Sequence, residues 1–339
     1  MATTAAAALL TLDAFTDAAA RIRGVAVHTP LIRLAVPGFD PKSDPAEIYI
    51  KAESLQPIGA FKIRGAYNKI AQLTPEERSR GVITYSSGNH GQAVAYAARL
   101  VGAKAVIVMP SNAPEVKKRA TAALGAEIVE VGPASSERLK KAEELQAKFG
   151  YIMIPPYDDD QIIAGQGTCG LEILEDLPDV DLVLAPVSGG GLLSGVATAI
   201  KLASPATRPL PRVIGVEPEL AADAQESFRS HQLVTWPADM TTRTMCDGLR
   251  TQSLGERNFE HIQAYVDDII TVSENEIRAA MRTLVHQVRL TPEPSGACSV
   301  AGMLFHRDQL LPFNKAVIVM SGGNVEPQVL QAVLAEQDS

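Results

Sequence analysis

The stretch that decides the fold reads Val82-Ile83-Thr84-Tyr85-Ser86-Ser87-Gly88-Asn89-His90-Gly91-Gln92-Ala93-Val94-Ala95-Tyr96-Ala97-Ala98-Arg99-Leu100. Its first four residues favour a strand buried on both faces. Six small or polar residues follow, and helical periodicity then takes over. The alternation recurs outward in both directions. Short apolar runs at 48–50, 105–109, 128–131, 182–187, 213–216 and 316–320 predict further strands. Periodic stretches at 12–22, 114–124, 136–149, 192–202 and 274–288 predict helices. Strand and helix in alternation make βαβ units with helices on both faces of a parallel sheet. The fold class is therefore α/β, doubly wound.

Composition narrows the function. Across 339 residues, 31 Lys and Arg against 39 Asp and Glu leave a net charge of -8. Nucleic acid is excluded as the main partner, because phosphate backbones require a clustered basic field. With 46% hydrophobic and 21% charged residues, the chain can bury a large core without staples. No apolar run approaches the ~20 residues of a membrane-spanning helix. Cys169, Cys246 and Cys298 are distant and odd in number, which suggests core-filling thiols in a reducing compartment. Residues 5–12 faintly resemble the apolar core of a signal peptide. No basic residue precedes them, however, and Asp13 and Asp17 follow, so an amphipathic helix and a cytoplasmic location are expected.

Several loops could carry chemistry. Lys62, between Phe61 and Ile63 and near Gly59 and Gly65, sits in an apolar setting that suits a Schiff-base amine; it could equally snorkel to water. Ser86 to Gly91, at a strand-to-helix turn, offers hydroxyls, an amide and backbone N–H groups to a carboxylate, or merely caps the helix. Ser188-Gly189-Gly190-Gly191-Leu192 lets backbone amides wrap a phosphate. It lacks the Gly-Lys-Ser/Thr of a P-loop, and Ser194 stands where a dinucleotide fingerprint requires glycine. A nicotinamide-dependent oxidoreductase is thus the weaker reading from spacing alone. Ser321-Gly322-Gly323-Asn324 and Glu293-Pro294-Ser295-Gly296 are further turns, the first at the carboxyl end of a strand. Asp158-Asp159-Asp160 reads as a solvated turn and Lys117-Lys118-Arg119 as an exposed helix face. Glu217 and Asp223, with one carbonyl, have the chemistry to hold a hard divalent cation.

A lysine plus a phosphate cradle suggests pyridoxal 5'-phosphate. The ordered motifs Gly59 to Gly65, Ser86 to Gly91, Ser188 to Leu192 and Ser321 to Asn324 resemble those of the serine racemase and threonine (serine) dehydratase family, across essentially the whole chain. The resemblance implies a fold-type II (tryptophan synthase β-like) pyridoxal-phosphate enzyme. Its large domain would span residues 1–79 and 158–339, with a small domain at 80–157 inserted. It assigns Lys62 as the Schiff-base lysine and Ser87 as the opposite-face acid/base. The cofactor would meet Phe61, Asn89, the Ser188, Gly189, Gly190, Gly191 and Leu192 loop, Glu293 and Ser321. Ser86, Ser87, Asn89, His90, Arg138 and Thr251 would hold the substrate. Glu217, Ala221 (through its carbonyl) and Asp223 would bind Mg2+ or Mn2+. The expected reaction is β-elimination from L-threonine, L-serine or 3-hydroxyaspartate, giving a 2-oxo acid and ammonia. Serine racemisation is the alternative on the same site, and a homodimer the expected assembly.

Overall fold

The computed structural model describes residues 8–35, 46–86, 88–113, 115–132 and 135–336. Two sheets organise them. The larger holds β1 (Leu31–Arg33), β2 (Glu47–Ala52), β7 (Leu182–Pro186), β8 (Arg212–Pro218), β9 (Asp268–Val272) and β10 (Lys315–Met320). Their order is β1-β2-β10-β7-β8-β9. Only β1 runs antiparallel, against β2. The smaller sheet is entirely parallel, in the order β5-β4-β3-β6, from β3 (Val82–Tyr85), β4 (Ala105–Pro110), β5 (Glu127–Val131) and β6 (Ile152–Met153).

The apolar runs behave as strands covered on both sides. Along β10, Ala316, Ile318 and Met320 enter one core cluster while Val317 and Val319 enter the other, on the opposite face. Helices Glu274–Thr283 and Pro294–Phe305 pack on the first face, and Gly191–Ala203 on the second. In the smaller sheet, Ile107 and Met109 face helix Asn89–Leu100, whereas Val106 and Val108 face Ala142 of helix Ser135–Phe149. Helix Leu12–Ile22 forms where expected and buries Phe15, Ala18 and Ile22. No helix among the described residues is long and apolar enough to cross a membrane.

Two sequence readings are corrected. The Asp158 to Asp160 stretch is not a solvated turn but the start of helix Asp160–Asp176. Asp159 accepts from the amides of Gln161 and Ile162, at 3.0 and 3.2 Å, while Asp160 pairs with Arg257 at 2.8 Å. The expected helix over 274–288 stops at Thr283 and continues as a π turn, Leu284–Val288, ended by Arg289 at φ 63°. Strands β1, β6 and β9 have no counterpart among the sequence expectations.

Candidate active site

Loops at the carboxyl ends of both sheets enclose a cavity of about 680 Å³. It is lined by Lys62, by Ser86, Gly88, Asn89 and His90, by the turn from Ser188 to Leu192, by Arg138, Thr251, Glu293 and Ser321, and also by Tyr85, Lys117, Tyr157 and Asp247. This is where open α/β sheets bind ligands.

Lys62 precedes helix Ile63–Ile70, and its Nζ donates to the carbonyl of Pro156 at 2.8 Å. The Phe61 ring centroid lies 5.1 Å from that nitrogen. Burial pushes the ammonium down to about 8, the direction an amine nucleophile requires. The helix is held rigidly beneath it. Arg64 is fully buried and bridges Glu53 and Glu172, each at 2.7 Å. Gly65 allows helix Asp160–Asp176 to approach: a Cβ on Gly165 would come within 2.5 Å of Gly65 Cα.

After Ser86, β3 leads into helix Asn89–Leu100, and the Gly88 amide donates to Ser86 Oγ at 3.1 Å. Ser87 lies outside the described residues. Asn89 Nδ2 donates to Glu293 Oε1 at 2.5 Å, and Asn89 Oδ1 accepts from Asn324 at 2.9 Å. The loop and both later turns thus form one network. His90 is buried, and its Nε2–H donates to the carbonyl of Ile154 at 3.0 Å. Burial, helped by the charge of Lys62, holds the ring down to about 3. The neutral ring therefore keeps a bare lone pair on Nδ1. A carboxylate at this position would meet the backbone N–H of His90, not its side chain.

In the glycine turn, Gly190 adopts φ +98°, and a Cβ there would come within 2.7 Å of Asn258 Cβ. Helix Gly191–Ala203 starts at this residue with no side-chain cap bond. Its first amides and its dipole are thus available to an anion, and the turn fits a phosphate. Ser188 Oγ and Thr251 Oγ1 lie 2.7 Å apart.

Lys117 overturns its sequence reading. It is buried, packs against Gly88, and pairs with the Asp247 carboxylate. Its Nζ lies 3.8 Å from Glu293 Oε2. Burial pushes the Glu293 carboxyl up to about 7, although Lys117 opposes the shift. The available signal was the pairing of Lys117 with Thr121, four residues on, which marks one buried helix face.

Glu217, at the end of β8, accepts from the amides of Ala224 and Gln225, at 3.1 and 3.0 Å. Burial, and then Asp223, raise it well above the carboxylate range; burial pushes Asp223 up to about 7. Asp223 Oδ2 is buried without a hydrogen-bond partner, and Ala221 is buried between the two acids in sequence. No cluster of three or more metal-ligating side chains occurs among the described residues. Two crowded buried carboxylates with an unsatisfied oxygen nonetheless fit a hard cation completed by a carbonyl.

A family model described as pyridoxal-phosphate dependent enzyme matches residues 22–322. The L-threo-3-hydroxyaspartate ammonia-lyase of Saccharomyces cerevisiae is 43% identical over 281 residues, covering 83% of this chain and 84% of that one. The L-threonine ammonia-lyase of Thermotoga maritima is 40% identical over 326 residues, covering 96% and 78%. The structure of maize serine racemase superposes with a TM-score of 0.88 at 36% identity, covering 96% of this chain and 97% of that one.

Proposed function

The chain belongs to the pyridoxal-phosphate dependent enzyme family, and from that premise we propose that it is an ammonia-lyase that eliminates water from β-hydroxy amino acids and releases a 2-oxo acid and ammonia. The observation that carries this reading is the joining, in one cavity, of a buried lysine amine, an uncapped glycine turn and the Asn89–Glu293 network. Relatives 43% and 40% identical over most of the chain are ammonia-lyases by name. Nicotinamide chemistry is set aside by the same family membership.

Pyridoxal 5'-phosphate, when bound, supplies an electron sink that acidifies the substrate's α-carbon. The protein's residues do the rest. The amides from Ser188 to Leu192, backed by the helix dipole, hold the phosphate. Lys62 Nζ, held down to about 8, is uncharged in a useful fraction near neutrality and takes the α-proton. Ser86, Asn89 and the His90 amide orient the α-carboxylate. Ser321, Glu293 and Asn89, which line the same cavity, would meet the cofactor's ring. Arg138 lines the same cavity and suits a second carboxylate, which favours 3-hydroxyaspartate alongside threonine and serine. Mg2+ or Mn2+ would sit between Glu217, Ala221 and Asp223, away from the reacting atoms, and neutralise the two acids. A cytoplasmic homodimer is the assembly we expect.

The test is incubation of the cofactor-loaded protein with L-serine, L-threonine and L-threo-3-hydroxyaspartate, measuring 2-oxo acid, ammonia and D-amino acid together. A large excess of 2-oxo acid supports the lyase. Comparable D-serine supports the racemase reading, which the maize likeness favours and which assigns the opposite-face proton to Ser87. Neither product from any substrate overturns both.

A further inference from the structure

Tyr157 has none of the roles assigned so far, yet it lines the same cavity. It follows Pro156, whose carbonyl holds the Lys62 amine at 2.8 Å. Its ring packs so tightly on the glycine turn that a Cβ on Gly189 would come within 2.5 Å of it. A Cβ on Gly191 would meet Tyr157 Cβ at 3.0 Å. The phenol feels the phenol of Tyr85, on the strand that leads into the substrate loop. Tyr157 therefore lines the cavity against the glycine turn, next in the chain to the carbonyl that holds the amine. No described residue hydrogen-bonds its hydroxyl. Asn89, Ser188 and Thr251, by contrast, are already paired. Burial, with Tyr85, Asp158 and Asp223 adding, pushes its ionisation upward, so the group remains an O–H donor.

We infer that Tyr157 is a catalytic residue that donates a hydrogen bond from its hydroxyl to the oxygen leaving the substrate's β-carbon. This inference rests on the ammonia-lyase reading and names a group that the reading lacks. Hydroxide is a poor leaving group, and negative charge gathers on that oxygen as the bond to carbon breaks. A preorganised donor stabilises such charge more than water does, because it does not have to reorient as the bond breaks. The ring is pinned by the glycine turn and by its place after Pro156, so the hydroxyl needs little reorganisation.

The experiment compares wild-type holoenzyme with Tyr157→Phe and Tyr85→Phe on two substrates. L-serine must lose its hydroxyl, whereas β-chloro-L-alanine loses chloride, which leaves unaided. Tyr157→Phe keeps the ring, so cofactor absorbance and melting temperature should match wild type. Its kcat on L-serine should fall roughly ten- to a hundredfold, with β-chloro-L-alanine changed by no more than about twofold. Equal losses on both substrates, no loss on either, failure to load cofactor, or the leaving-group effect appearing in Tyr85→Phe instead would each overturn the assignment. A wild type that releases no 2-oxo acid from any β-hydroxy substrate would overturn the ammonia-lyase reading itself, and this inference with it.

Discussion

Among single residues, Lys62 and Glu293 make the sharpest predictions. Lys62→Ala should abolish turnover and remove the cofactor's lysine-bound absorbance. Borohydride trapping of the cofactor on another lysine would refute that assignment. Burial pushes the Glu293 carboxyl in the folded protein up to about 7, from an ordinary 4.5. Its folded form therefore holds an extra proton between those values. Stability of the cofactor-free protein should be greatest below pH 4.5 as far as this group is concerned, and should fall by on the order of 1–3 kcal/mol as pH rises to about 7. Glu293→Gln should flatten that slope in urea titrations; an unchanged slope would show that another group causes it. At this scale the sequence was informative where chemistry is local. Lys62 and the glycine turns announce themselves within five to seven residues. Lys117 and Tyr157 did not, because each is brought into the cavity by contact with a segment distant in the chain, Asp247 in one case and the glycine turn in the other.

Elements carry the next set of expectations. The turn before helix Gly191–Ala203 requires φ +98° at Gly190. Gly190→Ala should cost about 1–3 kcal/mol in backbone strain alone and should weaken cofactor retention, read by absorbance after dialysis. Retention equal to wild type would remove the turn from the binding site. Helix Glu115–Ala123 is tied across the cavity mouth by Lys117, which reaches Asp247 in the turn Asp247–Leu249. Lys117→Met strands two carboxylates that share one cation. It should destabilise the protein by about 1–3 kcal/mol and raise KM more than it lowers kcat. A change in kcat alone would speak for a chemical role instead. Strands β3, β4, β7 and β10 were readable because burial on both faces leaves unbroken apolar runs. Strand β9 was hidden by Asp267 and Asp268 at its start, and by its place at the sheet edge, where half-exposed residues are tolerated. Helix Asp160–Asp176 was hidden for the opposite reason. Ten of its residues are buried, so it shows no polar face for periodicity to reveal.

For the whole molecule, a bound cation would act through stability. Removing it with EDTA should lower the melting temperature, since Glu217 and Asp223 would repel each other, and Mg2+ should restore it. An unchanged melting temperature would argue that the two acids share a proton instead. The largest consequence comes from the position of β10 in its sheet. It lies between β2 and β7, with Lys315 opposite Glu47 and Ala316 opposite Leu182. The middle of the larger sheet is thus the last of its described strands in chain order, paired with one that a ribosome completes 268 residues earlier. The smaller sheet draws all four strands from between Val82 and Met153 and can assemble from nearby partners while synthesis continues. The larger sheet must wait, with β2 and β7 lacking their shared neighbour, until β10 emerges. Ser321 follows that strand directly, so the proposed cofactor site is complete only after β10 has been made. Pulsed hydrogen exchange during refolding should accordingly protect β3 and β4 before β2 and β7.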